Sequence, residues 1–389
     1  MQLYLFPMDG ETDGETEMAP AGPCRPEPIT RVIFCLDLNQ FYVAVERRRD
    51  PSLVGRPVVI GADPKQGRGR GVVAASSYEA REHGVRSAMP ISWAWRRCPQ
   101  AIYLRPDFDA YVEVSRRVMA RLTRRARCEP ASIDEAYLDV SAETGGAAVD
   151  PASRWERARA LALDVKRELR EEEGLACSIG VAPNKLVAKV ASDFQKPDGL
   201  TVVRPSEVAA FLAPLEVSVL LGVGPKTRAR LNAAGIRTCA DLAATPVERL
   251  HEVLGWGPEY AQALREEAIG IDDGEVVPDR EPRSIGRETT FDEDVGDAEV
   301  VLTTVADLAD EVHARLIEDG YAFRTVVLKL RYAGFETHTR RKTLKEPSAD
   351  RDVLAQLARE LALPFLEKRR RVRLVGVTAA NLSRAADPA

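Results

Sequence analysis

Ser132-Ile133-Asp134-Glu135-Ala136-Tyr137-Leu138-Asp139 sets two adjacent carboxylates inside an otherwise apolar, strand-like run. Roughly a hundred residues earlier, Asp37 closes a second apolar run, Val32-Ile33-Phe34-Cys35-Leu36. Acids beside buried strands are costly unless a positive charge neutralises them. No Lys or Arg lies next to either acidic site in sequence, so a divalent cation is the simplest neutraliser. Three carboxylates without nearby His or Cys favour a hard, oxygen-seeking ion such as magnesium over zinc. On an ideal strand Asp134 and Glu135 point to opposite faces, so a hairpin turn or bulge is expected at 133–135. That arrangement suits phosphoryl or nucleotidyl transfer.

Outward from these runs, helical periodicity covers Tyr111–Arg125 and Trp155–Glu173, with a strand expected at Ala176–Val181. A helix starts near Phe41, and a small mixed region runs to Arg105 through Val58-Val59-Ile60 and the glycine-rich loop Gly67–Gly71. Strand, helix, strand, strand, helix, strand is the ferredoxin-like order. Downstream, Leu221-Gly222-Val223-Gly224-Pro225-Lys226 opens a helix at Thr227. A Gly-x-Gly turn between short helices leaves backbone N–H groups for a phosphate, the helix-hairpin-helix pattern. One further helix is expected over Glu248–Ile269, and Asp272–Pro282 reads as a linker. The last hundred residues alternate helix (300–318, 348–361) with strand (324–332, 335–343, 371–381).

At 389 residues, with 45% apolar content, the chain is long enough for two to four cores. Six scattered cysteines form no C-x-x-C pair and read as reduced thiols of a cytosolic protein. No apolar run approaches the roughly 18 residues of a membrane span. The net charge of −5 is carried by residues 1–30, where six acids face Arg25 alone, so the remainder balances. Positive charge then clusters between Arg324 and Lys345, with seven bases against Glu336, and again at Lys368–Arg371 and Arg373. On strand-like segments such clusters suit tracking of a phosphate backbone, or else a solvated face.

Asp37-Leu38-Asn39-Gln40-Phe41-Tyr42, Tyr78-Glu79-Ala80-Arg81, Ser132–Asp139 and Gly180-Val181-Ala182-Pro183-Asn184-Lys185 together resemble the Y-family translesion DNA polymerases. The DNA polymerase IV (DinB) branch is the most similar, over about residues 31–382. Asn39, Ala75 and Ser77 depart from residues common in that branch. The resemblance implies an α+β multidomain fold: a ferredoxin-like palm (31–40 and 106–193), small fingers (41–105), an all-helical helix-hairpin-helix thumb (194–271), a linker (272–283), an α+β little finger (284–382) and a tail (383–389). It implies a low-fidelity, template-directed enzyme adding deoxynucleotides to a primer 3′ end. A nucleotidyl cyclase shares the palm and its metals, but not the thumb or the basic C-terminal strands. A scaffold without activity would lose the carboxylates present here.

By the same resemblance, Asp37, Asp134 and Glu135, with the Leu38 carbonyl, are implied to hold two magnesium ions, replaceable by manganese, about 3.5–4 Å apart. Tyr78, Arg81 and Lys185 are implied to bind the incoming deoxynucleoside triphosphate, with Phe41 and Tyr42 beneath its sugar. Tyr42 falls at the steric-gate position and Phe41 fits the core. Outside the motif, Tyr78 reads as a core aromatic and Lys185 as a helix N-terminal surface residue. Primer-template DNA is expected to meet Gly222, Gly224 and Lys226 of the thumb and Arg324, Arg340, Arg371 and Arg373 of the little finger.

Residues 7–30, with a tandem Asp-Gly-Glu-Thr and a Pro-rich stretch, read as disordered. Before them, Gln2-Leu3-Tyr4-Leu5-Phe6 resembles the peptide by which bacterial polymerases dock on the sliding clamp; Gln2, Leu3, Leu5 and Phe6 are its anchors. A flexible tether of that length spans on the order of 25–30 Å. A cytoplasmic monomer with no membrane contact is expected.

Overall fold

The computed structural model describes residues 31–145, 149–279, 281–366 and 370–385. Residues 1–30, and with them the candidate clamp peptide, lie outside these. In chain order the first part runs β1 (Ile33–Leu38), α1 (Phe41–Arg49), β2 (Val58–Gly61), β3 (Val73–Ser76), α2 (Tyr78–Glu82), α3 (Ile91–Arg97), β4 (Ile102–Leu104), α4 (Phe108–Arg125), β5 (Arg127–Pro130), β6 (Glu135–Asp139), α5 (Pro151–Glu173), β7 (Cys177–Ala182), α6 (Lys185–Phe194) and β8 (Leu200–Val202). Strands β5-β6-β1-β7-β8 form one sheet, and β3-β2-β4 a smaller one. With α4 and α5 as the crossovers, β1, β5, β6 and β7 have the expected ferredoxin-like connectivity.

Both crossover helices follow from local chemistry. Asp107 and Asp150 cap α4 and α5 by accepting from the amides of Ala110 and Ser153, and Pro151 takes the tolerated first position. Gly174, at φ +63°, ends α5. The stripes Tyr111, Val114, Val118, Leu122 and Trp155, Ala158, Ala162, Val165, Leu169 are buried against Phe34, Leu36, Ala136 and Leu138 on one face of the sheet.

Period-two alternation sends Ile33, Cys35 and Tyr137 to the opposite face, into a core shared with α6 and the helices that follow. Asp37 and Glu135 have the same parity and therefore face α6. That helix sits unusually close. A Cβ on Gly180 of β7 would come within 2.0 Å of the Ala188 carbonyl oxygen, so only glycine permits the approach.

Next come α7 (Val208–Leu212), α8 (Pro225–Ala233), α9 (Cys239–Ala244), α10 (Val247–Leu254) and α11 (Pro258–Ala268). The single helix expected over 248–269 is two. Gly255, at φ +66°, ends α10, and Pro258 opens α11 after its cap Gly257. Gly255-Trp256-Gly257-Pro258 thus repeats Gly222-Val223-Gly224-Pro225, where Gly222 has φ +85° and Pro225 opens α8.

The last part comprises β9 (Ser284–Val295), α12 (Ala298–Glu318), β10 (Tyr321–Tyr332), β11 (Thr337–Ser348), α13 (Arg351–Leu366), β12 (Val372–Ala380) and β13 (Ser383–Arg384). Its antiparallel sheet is ordered β11-β10-β12-β9, with β13 on β10, and α12 and α13 cover one face. The glycine-rich loop before β3 reaches this sheet: Arg70 lies 2.6 Å from Asp294 and Lys65 3.1 Å from Asp292. No helix among the described residues is long and apolar enough to cross a membrane.

Candidate active site

The register of β1 and β6 sets Asp37 directly opposite Glu135, and the Leu38 amide donates to the Asp134 carbonyl at 2.8 Å. The turn expected at 133–135 is the hairpin between β5 and β6. The amides of Ala131 and Ser132 both donate to the Glu135 carbonyl, and Asp134 is the last residue before β6. Asp37 and the adjacent pair Asp134-Glu135, distant in sequence, thus meet at one end of the central sheet.

The missing neutraliser is present in space. Lys189 Nζ, from α6, lies 2.6 Å from Glu135 and 3.3 Å from Asp37. Lys196 Nζ lies 2.5 Å from Asp37, and Asp193 contacts both lysines at 3.5 and 2.5 Å. Ser132 Oγ donates to Asp134 Oδ1 at 2.6 Å. With these partners engaged, no three acidic, His or Cys side chains among the described residues stand as a ready-made metal cage. The expectation that a divalent ion alone neutralises this cluster is therefore corrected: two ammonium groups share the work. Helical spacing was the available signal, since Lys189 and Asp193 follow Lys185 at successive turns.

Backbone contacts fix the rim. Buried Asn39 accepts from the Asp198 amide at 2.6 Å and donates to Ser178 Oγ at 3.0 Å, pinning the turn that follows Lys196. Lys166 Nζ holds the same turn through the Asp198 side chain at 2.7 Å. Gln40 accepts from the Tyr78 amide at 3.1 Å, joining α2 to the start of α1, and Ser77 caps α2. Tyr78 and Arg81 are together, with the guanidinium 4.9 Å from the ring centre. Burial raises the Tyr78 pKa, and Lys196 and Asp37 are near enough to act on it. Burial, and then Asp134, raise that of Tyr42. Both tyrosines therefore border the acids. The Tyr42 ring stacks on buried Tyr111 at 4.4 Å and 14°, while Phe41 is 2% exposed and belongs to the core.

Lys185 goes elsewhere. Its ammonium lies 2.7 Å from buried Glu129, 3.3 Å from the Glu275 carbonyl and 4.8 Å from the Tyr137 ring centre. As the first residue of α6 it sits about one 5.4 Å turn from Lys189, toward β5. Glu129 also accepts from the Val277 amide at 2.9 Å, and Arg31 donates to the carbonyls of Asp272 and Gly274 at 3.1 and 2.9 Å. The start of the expected linker is thus strapped down, with Val276 buried. Lys185 thus stands apart from Asp37 and Glu135, whereas Lys196 lies against Asp37.

On the C-terminal sheet, pairing decides which bases face outward. Arg341 pairs with Val327, Thr339 with Lys329 and Thr337 with Arg331, all on the face away from the helices. Arg340 pairs with core residue Leu328 and lies 5.3 Å over Phe365 of α13, so the expectation for Arg340 is corrected to the helix side. Arg373 stacks on exposed Phe335 at 4.2 Å, and Arg324 and Arg371 are exposed. Gly222, Gly224 and Lys226 form an exposed turn at the start of α8.

Three family models match: the impB/mucB/samB family over residues 36–193, its C-terminal domain over 282–389, and a SAM-like helix-hairpin-helix tandem over 216–268. DNA polymerase IV of Methanoculleus marisnigri is 50% identical, covering 91% of this chain and 95% of that one. DNA polymerase IV of Halorhodospira halophila is 45% identical, covering 90% and 95%. The chain belongs to the impB/mucB/samB family of Y-family translesion DNA polymerases. It is a DNA-directed DNA polymerase, a nucleotidyltransferase. A solved Y-family DNA polymerase chimera superposes with a TM-score of 0.79 at 31% identity, covering 90% of this chain and 98% of its own. An insertion ternary complex of Dbh DNA polymerase gives 0.63 at 30%, covering 91% and 100%. The repeated Gly-x-Gly-Pro turns are the tandem matched over 216–268.

Two measurements follow from this geometry. Burial, reinforced by Asp37 and opposed by the Ser132 hydrogen bond, raises the Asp134 pKa. Below about pH 4 the acid is neutral in folded and unfolded chains alike; above it the fold carries a costly charge. Asp134→Asn is expected to raise the thermal midpoint of metal-free protein at pH 7, with the gain vanishing near about pH 4. An equal or lower midpoint at pH 7 contradicts this. For DNA, Arg341→Ala is expected to lower the slope of log affinity against log salt by about 1, and Arg340→Ala to leave it unchanged. Equal slopes for the two variants contradict the assignment of faces.

Proposed function

We propose that Asp37, Asp134 and Glu135, with the Leu38 carbonyl, form the nucleotidyl-transfer centre. The in-register pair Asp37–Glu135, with Asp134 tied to Leu38, carries this reading. Y-family DNA polymerases are a metal-dependent class, and the donor set here is all oxygen, which suits two magnesium ions. When bound, such ions polarise the primer 3′-hydroxyl and neutralise the triphosphate. The chain's own groups do the rest. The hairpin and the Asn39 turn fix the carboxylates before substrate arrives, so positioning has little left to cost. Tyr78, Arg81 and Lys196 line the rim on which triphosphate oxygens would lie. Tyr42, immobilised by Tyr111, presents a rigid ring where a 2′-hydroxyl would clash.

Template and primer would run between the two Gly-x-Gly turns and the outward face of the C-terminal sheet, along Arg341, Lys329 and Arg331. The division into palm, fingers, thumb and little finger belongs to the same reading. The shared core behind Asp37 and α6 makes palm and thumb one mechanical unit.

Primer extension with magnesium tests this directly. Asp37→Ala is expected to lower the rate about 1,000-fold, and Tyr42→Ala to admit ribonucleotides while retaining extension. Extension unchanged in Asp37→Ala, or continued exclusion of ribonucleotides by Tyr42→Ala, contradicts the respective role.

The N-terminal Gln2-Leu3-Tyr4-Leu5-Phe6 is proposed to dock on the sliding clamp, raising local concentration without fixing orientation. The full chain as a monomer in the cytoplasm completes the reading. Leu5→Ala with Phe6→Ala is expected to abolish binding to purified clamp; unchanged binding refutes the docking.

A further inference from the structure

We propose that Lys189 is the resident counter-ion of the nucleotide-free site, excluding free divalent cations until a triphosphate arrives, and that Asp193 receives the displaced ammonium. This rests on the metal-binding reading of Asp37, Asp134 and Glu135 given above.

The charge arithmetic is short. Asp37, Asp134, Glu135 and Asp193 contribute −4, and Lys189 with Lys196 +2. A cation entering alone has to take oxygens that an ammonium already holds at 2.6 and 3.3 Å. The Lys189 side chain is only 15% exposed, so removing it from its partners strands a poorly hydrated charge.

The helix itself does not yield. The contact of Gly180 with the backbone of Ala188 and Ser192 fixes α6 against β7, so displacement of Lys189 is confined to side-chain torsions. One destination lies within reach. Asp193, one turn further along α6, is 3.5 Å from Lys189 Nζ and has a side chain 49% exposed at the rim. An ammonium that leaves Glu135 for Asp193 keeps an ion pair and gains water. Two divalent ions and a triphosphate of about −4 together leave the net charge at its nucleotide-free value, and the triphosphate brings the ions oxygens that no ammonium holds, which a free cation on its own lacks. Lys189 is therefore a positioning residue: it sets when the carboxylates become available.

Manganese is the probe, with free ion read by electron paramagnetic resonance on the full chain. Without DNA or nucleotide, Lys189→Met is expected to bind Mn2+ at least about tenfold more tightly than wild type, and Lys189→Arg to match wild type. With primer-template and a non-hydrolysable deoxynucleoside triphosphate, the gap between Lys189→Met and wild type is expected to close to under about threefold. Equal nucleotide-free affinity in Lys189→Met and wild type overturns the proposal. If Lys189→Met fails to fold, Asp193→Asn decides. Loss of the landing site should weaken nucleotide-dependent Mn2+ binding at least about fivefold, and an unchanged value overturns the proposal. Failure of the underlying metal-site reading looks different: Asp37→Asn would then leave Mn2+ binding intact in every background.

Discussion

Two carboxylates facing each other across adjacent strands, at the end of a sheet and against a packed helix, are the constraint from which the rest follows. Asp37 and Glu135 repel, and neither can be solvated freely beneath α6. Lys189 and Lys196 make the arrangement tolerable, and α6 can deliver Lys189 only because Gly180 lets it lie directly on β7. Close packing, helix placement and local charge are therefore one design. The cost of holding acids near an apolar face is met by these two cations.

The surroundings reinforce that rigidity. Asn39 has a structural duty, binding the turn next to Lys196. On the far side, Glu129, Lys185 and Arg31 fasten the segment leading toward the C-terminal sheet, while Arg70 and Lys65 hold that sheet from the glycine-rich loop. The segment leading to the C-terminal sheet is thus held by hydrogen bonds and buried Val276, whereas the sheet itself meets the glycine-rich loop through charge pairs. Such contacts weaken with ionic strength far more than a core does.

Much of this was legible in the sequence. Long periodic stretches gave α4, α5 and β7, and the apolar runs around Asp37 and Asp134 gave the central strands and the intervening hairpin. The strand Ser284–Val295 was not seen, because most of its residues are exposed and period-two burial leaves little trace. The break at Gly255 was hidden by apolar spacing that continues across it. Lys189 and Lys196 escaped because neutralising charge was sought beside the acids in sequence, whereas the fold brings it from more than fifty residues away. Arg340 and Arg341 differ by one position, and only the strand register tells which of them faces away from the helices.

The central claim is that this acidic end of the sheet is where metal ions and nucleotide meet. Anomalous diffraction from manganese, in crystals of the enzyme with primer-template and a non-hydrolysable deoxynucleoside triphosphate, examines it most directly. The account predicts manganese peaks among the oxygens of Asp37, Asp134 and Glu135, with Lys189 withdrawn toward Asp193. Manganese bound elsewhere, with Lys189 still on Glu135 and nucleotide present, would contradict it.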